Sequence, residues 1–328
     1  MREICVTDTQ AATQLPLIVI VLPIYNGARW LGEQLDSIIA QTHGRWLLLL
    51  RDDGSTDNSN DLIAQYALMD SERIKVTQDD RGNLGAAASF SLLMEKALTI
   101  VESTPEPAYV ALADQDDVWA PEKLAVCLQR MQTEEQLAAA TNAERETPVL
   151  IHSDLRVVDS AGQVLAESLL NYQGLDADRH DFSAQLLSNT VTGCTALLNR
   201  ALLRQALPVP TGAMMHDWWL SLVASRFGRL RCVDQVLVDY RQHGANTIGA
   251  RQHTPGSLSW KTFLKLFQLR KSAQAQALFE GSAAQALAFE QRFADQLNEA
   301  DRTLLKQVQR MPDLGLWRQR LMFRQLRR

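Results

Sequence analysis

The chain is poor in cysteine and pairs none of it in sequence. Cys5, Cys127, Cys194 and Cys232 lie far apart, with no Cys-x-x-Cys spacing. That argues against a zinc ribbon and a disulfide framework, and the four read as reduced, mostly packed thiols. No run of eighteen or more apolar residues occurs, and Met1 to Asp8 lacks a basic stretch followed by a long apolar one. Neither a membrane span nor an export signal is therefore expected, and the expected compartment is the cytoplasm. No Gly-x-Gly-x-x-Gly follows the first apolar run, and no Gly-x-x-x-x-Gly-Lys-Ser/Thr loop occurs. These absences disfavour a Rossmann dinucleotide site and a P-loop, so a bound diphosphate would need a metal to meet its charge.

What is present is an ordinary globular composition: 328 residues, 46% apolar and 22% charged, enough for one large α/β core with a helical appendage. The net charge of −5 hides an asymmetry. Residues 251–328 hold 14 Lys/Arg against 6 Asp/Glu, leaving 19 against 32 in the remainder, so an acidic body carries a basic tail.

Leu17-Ile-Val-Ile-Val-Leu22 is the continuous β-branched run of a strand covered on both faces, ended by Pro23. Helical spacing follows from Arg29 to Ala40, then an apolar run from Trp46 to Leu50. The same reading gives helices at Asn58 to Met69 and Leu84 to Ile100, and strands at Ile74 to Thr77, Tyr109 to Ala113 and Val149 to His152. Gln163 to Asp181 reads as irregular, and the chain beyond about residue 255 as helical. Alternation at these lengths predicts an α/β fold with a doubly wound, mostly parallel sheet, helices on both faces, and a helical C-terminal extension. The organisation expected is an extension over 1–14, a catalytic domain over 15–254 (nucleotide half 15–120, acceptor half 148–250) and a basic amphipathic region over 255–328.

Two strand ends carry carboxylates. Tyr109 to Ala113 runs into Asp114-Gln-Asp-Asp117, and Trp46 to Leu50 into Arg51-Asp-Asp-Gly-Ser-Thr-Asp57. Strand ends of a doubly wound sheet face one crevice, so both groups should meet there. Carboxylates this crowded repel one another until a divalent cation such as Mg²⁺ or Mn²⁺ neutralises them. Asp52 or Asp53 can accept from a base imino group or a ribose hydroxyl, while Ser55, Thr56 or Asp57 can equally cap the next helix.

In order, Val19-Ile-Val-Leu-Pro-Ile-Tyr-Asn-Gly27, Asp52-Asp-Gly-Ser-Thr-Asp57, Arg81-Gly-Asn-Leu-Gly85 and Asp114-Gln-Asp-Asp117 resemble glycosyltransferase family 2. The resemblance covers about the first 120 residues. It implies the GT-A fold, a nucleoside diphosphate sugar as donor and a divalent cation at the Asp-x-Asp motif. It also implies that Tyr25 packs on the base, Asp52 or Asp53 hydrogen-bonds it, and Arg81 meets a phosphate. Asp114 would touch ribose or metal, and Asp116 would be the direct metal ligand, with His243 of Arg241-Gln-His-Gly completing the shell.

The second half carries His152-Ser-Asp-Leu, Asn189-Thr-Val-Thr-Gly-Cys-Thr195, Met215-His-Asp-Trp-Trp219 and Tyr240-Arg-Gln-His-Gly. By the same resemblance Asp217, at the start of a helix, is the general base for an inverting transfer. Asp117, His216, Trp218 and Trp219 would then face donor or acceptor sugar, the indoles as stacking surfaces unless they pack in the core. These motifs look like the rhamnosyltransferase-like subgroup of O-antigen and polysaccharide synthesis, implying a glycan or polyprenyl-linked acceptor and no nucleic acid partner. The face Trp260, Phe263, Leu264 and Phe267, and the arginine-rich end with Trp317, Leu321, Met322 and Phe323, can lie on the inner face of an anionic membrane or pack on the protein. Alternative functions are a non-catalytic nucleotide-sugar sensor or scaffold and a sugar nucleotidyltransferase. The latter should carry a Gly-rich, Arg-containing loop where this chain has Pro-Ile-Tyr-Asn-Gly.

Overall fold

The computed structural model describes residues 14–141, 145–243 and 273–315, together with Arg318, Gln319 and Met322. The first strand, β1 (Leu17–Ile24), has no exposed residue from Ile18 to Leu22. Its alternation feeds two cores. Val19 and Val21 join the cluster of α3 (Ala86–Ser103), α7 (Arg200–Ala206) and α8 (His216–Phe227). Ile18, Ile20, Leu22 and Ile24 join that of α1 (Leu31–Ile39), α2 (Ser59–Met69) and α4 (Lys123–Thr141). Each such buried side chain contributes about 1.5–3 kcal/mol of transfer free energy, which is why a two-sided strand reads as an unbroken apolar run.

β1 lies between β2 (Trp46–Asp52) and β4 (Ala108–Leu112), parallel to both, and β3 (Ile74–Val76) extends the sheet beyond β2. Strand order is β3-β2-β1-β4-β8-β6-β9-β5, with β5 (Val118–Trp119), β6 (Val149–Val158), β8 (Leu197–Asn199) and β9 (Arg229–Arg241); β7 (Val164–Ala166) pairs with β6. β8 runs antiparallel to β4 and β6, while β6 and β9 are parallel. The chain winds from β1 to β2 on one side and reaches β4 on the other, so the topological switch point, where such sheets bind ligands, falls between β1 and β4.

Two departures from the sequence reading shape the site. Gln163 to Asp181 is not irregular throughout: it holds β7 and the short α5 (Leu169–Gln173), whose first turn is capped by Ser168. β9 was not expected at all. Its charged residues alternate with Leu230, Val233 and Leu237, a pattern that resembles a surface segment until β6 and β5 pair with it.

The C-terminal helices α9 (Ala273–Arg292) and α10 (Glu299–Gln309) pack on the body. Phe289 is fully buried, edge-on to Trp219 with centroids 5.6 Å apart, and Phe293, Leu305 and Val308 continue the contact. Met322 also packs on this cluster. Trp260, Phe263, Leu264, Phe267, Trp317, Leu321 and Phe323 lie outside the described residues. Among those described, no helix is long and apolar enough to cross a membrane.

His152 of β6 is wholly buried, and neither ring nitrogen has a hydrogen-bond partner. Desolvation, aided by nearby His180, pushes its pKa down to about 3. An unfolded histidine titrates near 6.5, so between these values the unfolded chain binds the extra proton. Stability is then lost as pH falls, at up to about 1.4 kcal/mol per pH unit for one proton. Replacing His152 with Leu is expected to flatten the decline of the urea midpoint between pH 6.5 and 4.5. Parallel declines in both proteins would contradict this assignment.

Candidate active site

β1 ends in Pro23-Ile24 and opens into a tight turn that leaves Tyr25 half exposed. Asn26 adopts φ of 50°, a left-handed conformation that Asn tolerates, and its Oδ1 accepts from the Thr56 amide at 2.8 Å. The segment after β2 holds the rest of this turn. Ser55 Oγ accepts from the Asn26 amide, Ser59 Oγ from Gly27 and Asp57 from Ala28 at 2.9 to 3.0 Å. The hydroxyls and carboxylate that the sequence offered as caps therefore mostly bind the β1 turn, although Asp57 also accepts from the Ser59 amide. The residue before α2, Asn58, makes no side-chain cap.

The two aspartates after β2 part company. Asp52 Oδ2 accepts from the amides of Gly54 and Ser55 and from Asn60, while its Oδ1 is buried without a protein partner. Asp53 is 3% exposed and fully engaged by the protein, accepting from the Leu84 and Gly85 amides, Ser89 Oγ and Arg51. Asp52 thus keeps a buried oxygen without a protein partner, whereas Asp53 anchors the 81–85 loop.

Arg51 drives that anchoring. Its buried guanidinium reaches both oxygens of Asp79 at 2.8 and 3.0 Å, the Gly82 carbonyl at 2.8 Å and Ser89 at 2.7 Å. Arg51 and the Arg81 amide hold the Asp79 pKa down at about 2. The Arg81 residue itself stays exposed at the loop it was expected to present.

β5 pairs antiparallel with the end of β9, Val118 opposite Asp239, and this brings Asp114-Gln-Asp-Asp117 against Arg241 and His243. Arg241 donates its amide to Asp117 at 3.2 Å, its Nε to the Asp116 carbonyl at 3.0 Å and a guanidinium nitrogen to Glu33 at 2.7 Å. His243 Nε2 lies 2.7 Å from Asp116 Oδ2, and its ring stacks on Trp30 with centroids 4.1 Å apart. Asp114, Asp117 and the buried Cys194 each offer a ligand atom within 4.8 Å of the others.

Desolvation and mutual repulsion dominate here. Burial, then the charges of Asp117, Asp116 and Asp217, raise the Asp114 pKa well above the carboxylate range. Burial and Asp116 likewise raise Asp117, one of whose oxygens is buried with no partner. An unpartnered buried oxygen of Asp117 among crowded carboxylates suits a hard divalent cation. The ligand atoms that converge are those of Asp114, Asp117 and Cys194, while Asp116 pairs with His243 beside them, so of the three expected ligands only Asp114 belongs to the converging trio.

Asp217 opens α8 and faces the same cluster. It accepts from its neighbour Trp218 N–H at 2.6 Å and from the Gly193 amide at 3.1 Å, and also from the Asn189 side chain; burial nevertheless pushes its pKa up to about 6. The neighbouring expectations need correction. Trp219 is wholly buried and Trp218 8% exposed, and their indole N–H groups donate to the Ala206 and Gln185 carbonyls. Both side chains pack in the apolar core, Trp219 against Ala206 of α7 and Phe289 of α9, so their burial does not give the exposed stacking surface expected of them. His216 is 5% exposed, stacked on Phe90 at 3.9 Å, with burial lowering its pKa to about 3. It packs beside Gly193, where a Cβ would come within 2.9 Å of its Nε2.

Residues that the sequence reading left without roles surround the cluster: Gln115, whose amide binds the Tyr25 backbone, Gly193, Cys194 and Arg241. Their signal was a place inside or beside quoted motifs, but the partner of each is distant in sequence.

Residues 19–206 match the family model described as glycosyl transferase family 2. The chain is 27% identical over 257 residues to a putative teichuronic acid biosynthesis glycosyltransferase, TuaG, of Bacillus subtilis, covering 77% of this chain and 90% of that protein. Among solved structures it resembles S. aureus TarS 1-349 in complex with UDP-GlcNAc, with 15% identity, a TM-score of 0.51 and coverage of 94% and 79% of the two chains. It also resembles GalNAc-T7 with UDP, GalNAc and Mn²⁺, with 14% identity, a TM-score of 0.55 and coverage of 85% and 54%.

Because Arg51 neutralises two carboxylates in a desolvated site, Arg51→Met should cost about 3–5 kcal/mol in urea unfolding. A loss under about 1 kcal/mol, the scale of an exposed ion pair, would contradict the anchoring role.

Proposed function

The chain belongs to glycosyl transferase family 2, and from that premise we propose that it moves a sugar from a nucleoside diphosphate onto a glycan or lipid-linked hydroxyl, with inversion and with a divalent cation. The observation that carries this reading is that Asp217, from the acceptor half, accepts from the Gly193 amide, and the adjacent Cys194 lies within 4.8 Å of the Asp114 and Asp117 ligand atoms from the donor half. Tyr25 and the free oxygen of Asp52 would take the base, and Arg81 a phosphate. A cation held by Asp114, Asp116 and His243 would neutralise charge on the departing diphosphate.

Asp217 takes the proton from the acceptor hydroxyl as that oxygen attacks the anomeric carbon opposite the leaving group. Its elevated pKa suits a base working near neutrality, and the Gly193 and Trp218 amides aim its oxygens. A teichuronic acid relative supports cell-surface polysaccharide synthesis, and the second-half motifs favour dTDP-rhamnose as donor. Acceptors carried on polyprenyl phosphate at the inner membrane face fit the basic stretch 255–272, which lies outside the described residues.

The test is turnover across UDP-, GDP- and dTDP-sugars with membrane-extracted acceptors. One donor should be consumed and its sugar transferred; nucleotide binding without turnover of any donor would favour the sensor reading. Asp217→Asn is expected to lower kcat by about 10²–10⁴-fold while donor affinity holds. Only the ionised carboxylate can accept a proton, so kcat/KM of the wild type should fall as pH drops through about 6. A flat profile down to pH 5 would remove Asp217 from the role of base.

A further inference from the structure

β1 and β4 run side by side until the Ala113 amide donates to the Val21 carbonyl at 3.0 Å. Beyond that rung they diverge, β1 towards Tyr25 and β4 towards Asp114, and this gap is the switch point of the sheet. The side chain of Gln115 crosses it. Its Oε1 accepts from the Tyr25 amide at 2.8 Å and its Nε2 donates to the Tyr25 carbonyl at 3.0 Å. One side-chain amide thereby makes the pair of bonds that a further backbone rung would have made.

The side chain fits closely against Gly27, so a Cβ there would displace it. A Cβ at Gly27 would stand 2.4 Å from Gln115 Oε1 and 2.6 Å from its Cδ. Gly27 cannot easily withdraw, because its amide is bound to Ser59 Oγ at 2.9 Å, and Asn26 is fixed by Ser55 and Thr56. On the other side Gln115 sits between Asp114 and Asp116, whose loop is held by Arg241.

We propose that Gln115 is a positioning residue that sets the separation between the two ends of the donor site, Tyr25 with Asp52 at one end and Asp114 with Asp116 at the other. The inference rests on the donor-site reading above. A nucleoside diphosphate touches both ends at once and binds well only when their separation matches its own length, whereas a nucleoside or a cation touches one end and is indifferent to it.

The experiment compares wild type, Gln115→Ala, Gly27→Ala and the double variant by calorimetry, with thermal midpoints recorded to confirm folding. The probes are Mn²⁺ alone, and UDP, GDP or dTDP with Mn²⁺, whichever the wild type binds most tightly, and the matching nucleoside, followed by NMR. Each single variant should weaken the diphosphate about tenfold. The double variant should be no worse than either, since both break one contact. The nucleoside and Mn²⁺ alone should be unaffected. If Gly27→Ala does not fold, Gln115→Leu takes its place. Equal weakening of all three probes would reduce Gln115 to a structural residue, and unchanged diphosphate binding would overturn the proposal. A wild type that binds no nucleoside diphosphate would overturn the donor-site reading itself.

Discussion

Asp114, Asp117 and Asp217 share one desolvated crevice, and ionising any of them is opposed by burial, and for Asp114 and Asp117 by neighbouring charge as well. Arg241 and the buried Lys123 offset part of that charge at Asp117, but burial and the neighbouring carboxylates still leave Asp114 and Asp117 raised. Such a cluster is costly to fold and persists only where something else makes it favourable. On the proposed reading a cation shared with a diphosphate would do so, and the surrounding architecture holds the four carboxylates Asp114, Asp116, Asp117 and Asp217 together.

That holding is distributed. The two-sided core fixes β1 and β4, the β5 and β9 pairing draws His243 onto Asp116, and α8 delivers Asp217 from the other half of the chain. Around this rigid set lie polar clamps made of single residues. Arg51 ties the 79–85 loop to β2, Gln115 ties the Asp114 loop to the β1 turn, and Gly193 aims Asp217. The C-terminal helices stiffen the same body from behind, since Phe289 and Phe293 pack around Trp219 in the helix that carries Asp217.

Much of this was legible in the chain. β1 announces itself because burial on both faces demands continuous apolar residues, and the carboxylates after β2 and β4 are adjacent in sequence to the strands that place them. β9 was not legible because five of its thirteen residues are charged and interrupt the apolar pattern, and only pairing with β6 makes it a strand. Asp52 and Asp53 are indistinguishable as neighbours in a motif; Arg51 and the 84–85 amides, reached through folding, separate them. Trp218 and Trp219 followed an aspartate that resembled a general base, and that proximity suggested sugar contact, whereas their size and the apolar space beneath α7 decided for the core.

The most direct measurement is the affinity of the wild-type protein for its preferred nucleoside diphosphate with Mn²⁺ and again with a chelator. If crowded carboxylates are the organising constraint, binding should require the cation and saturate at one diphosphate per chain, with the cation bound more tightly when the diphosphate is present. Equal affinity in the chelator would mean that the carboxylates are accommodated without a metal, and the account of the crevice would be wrong.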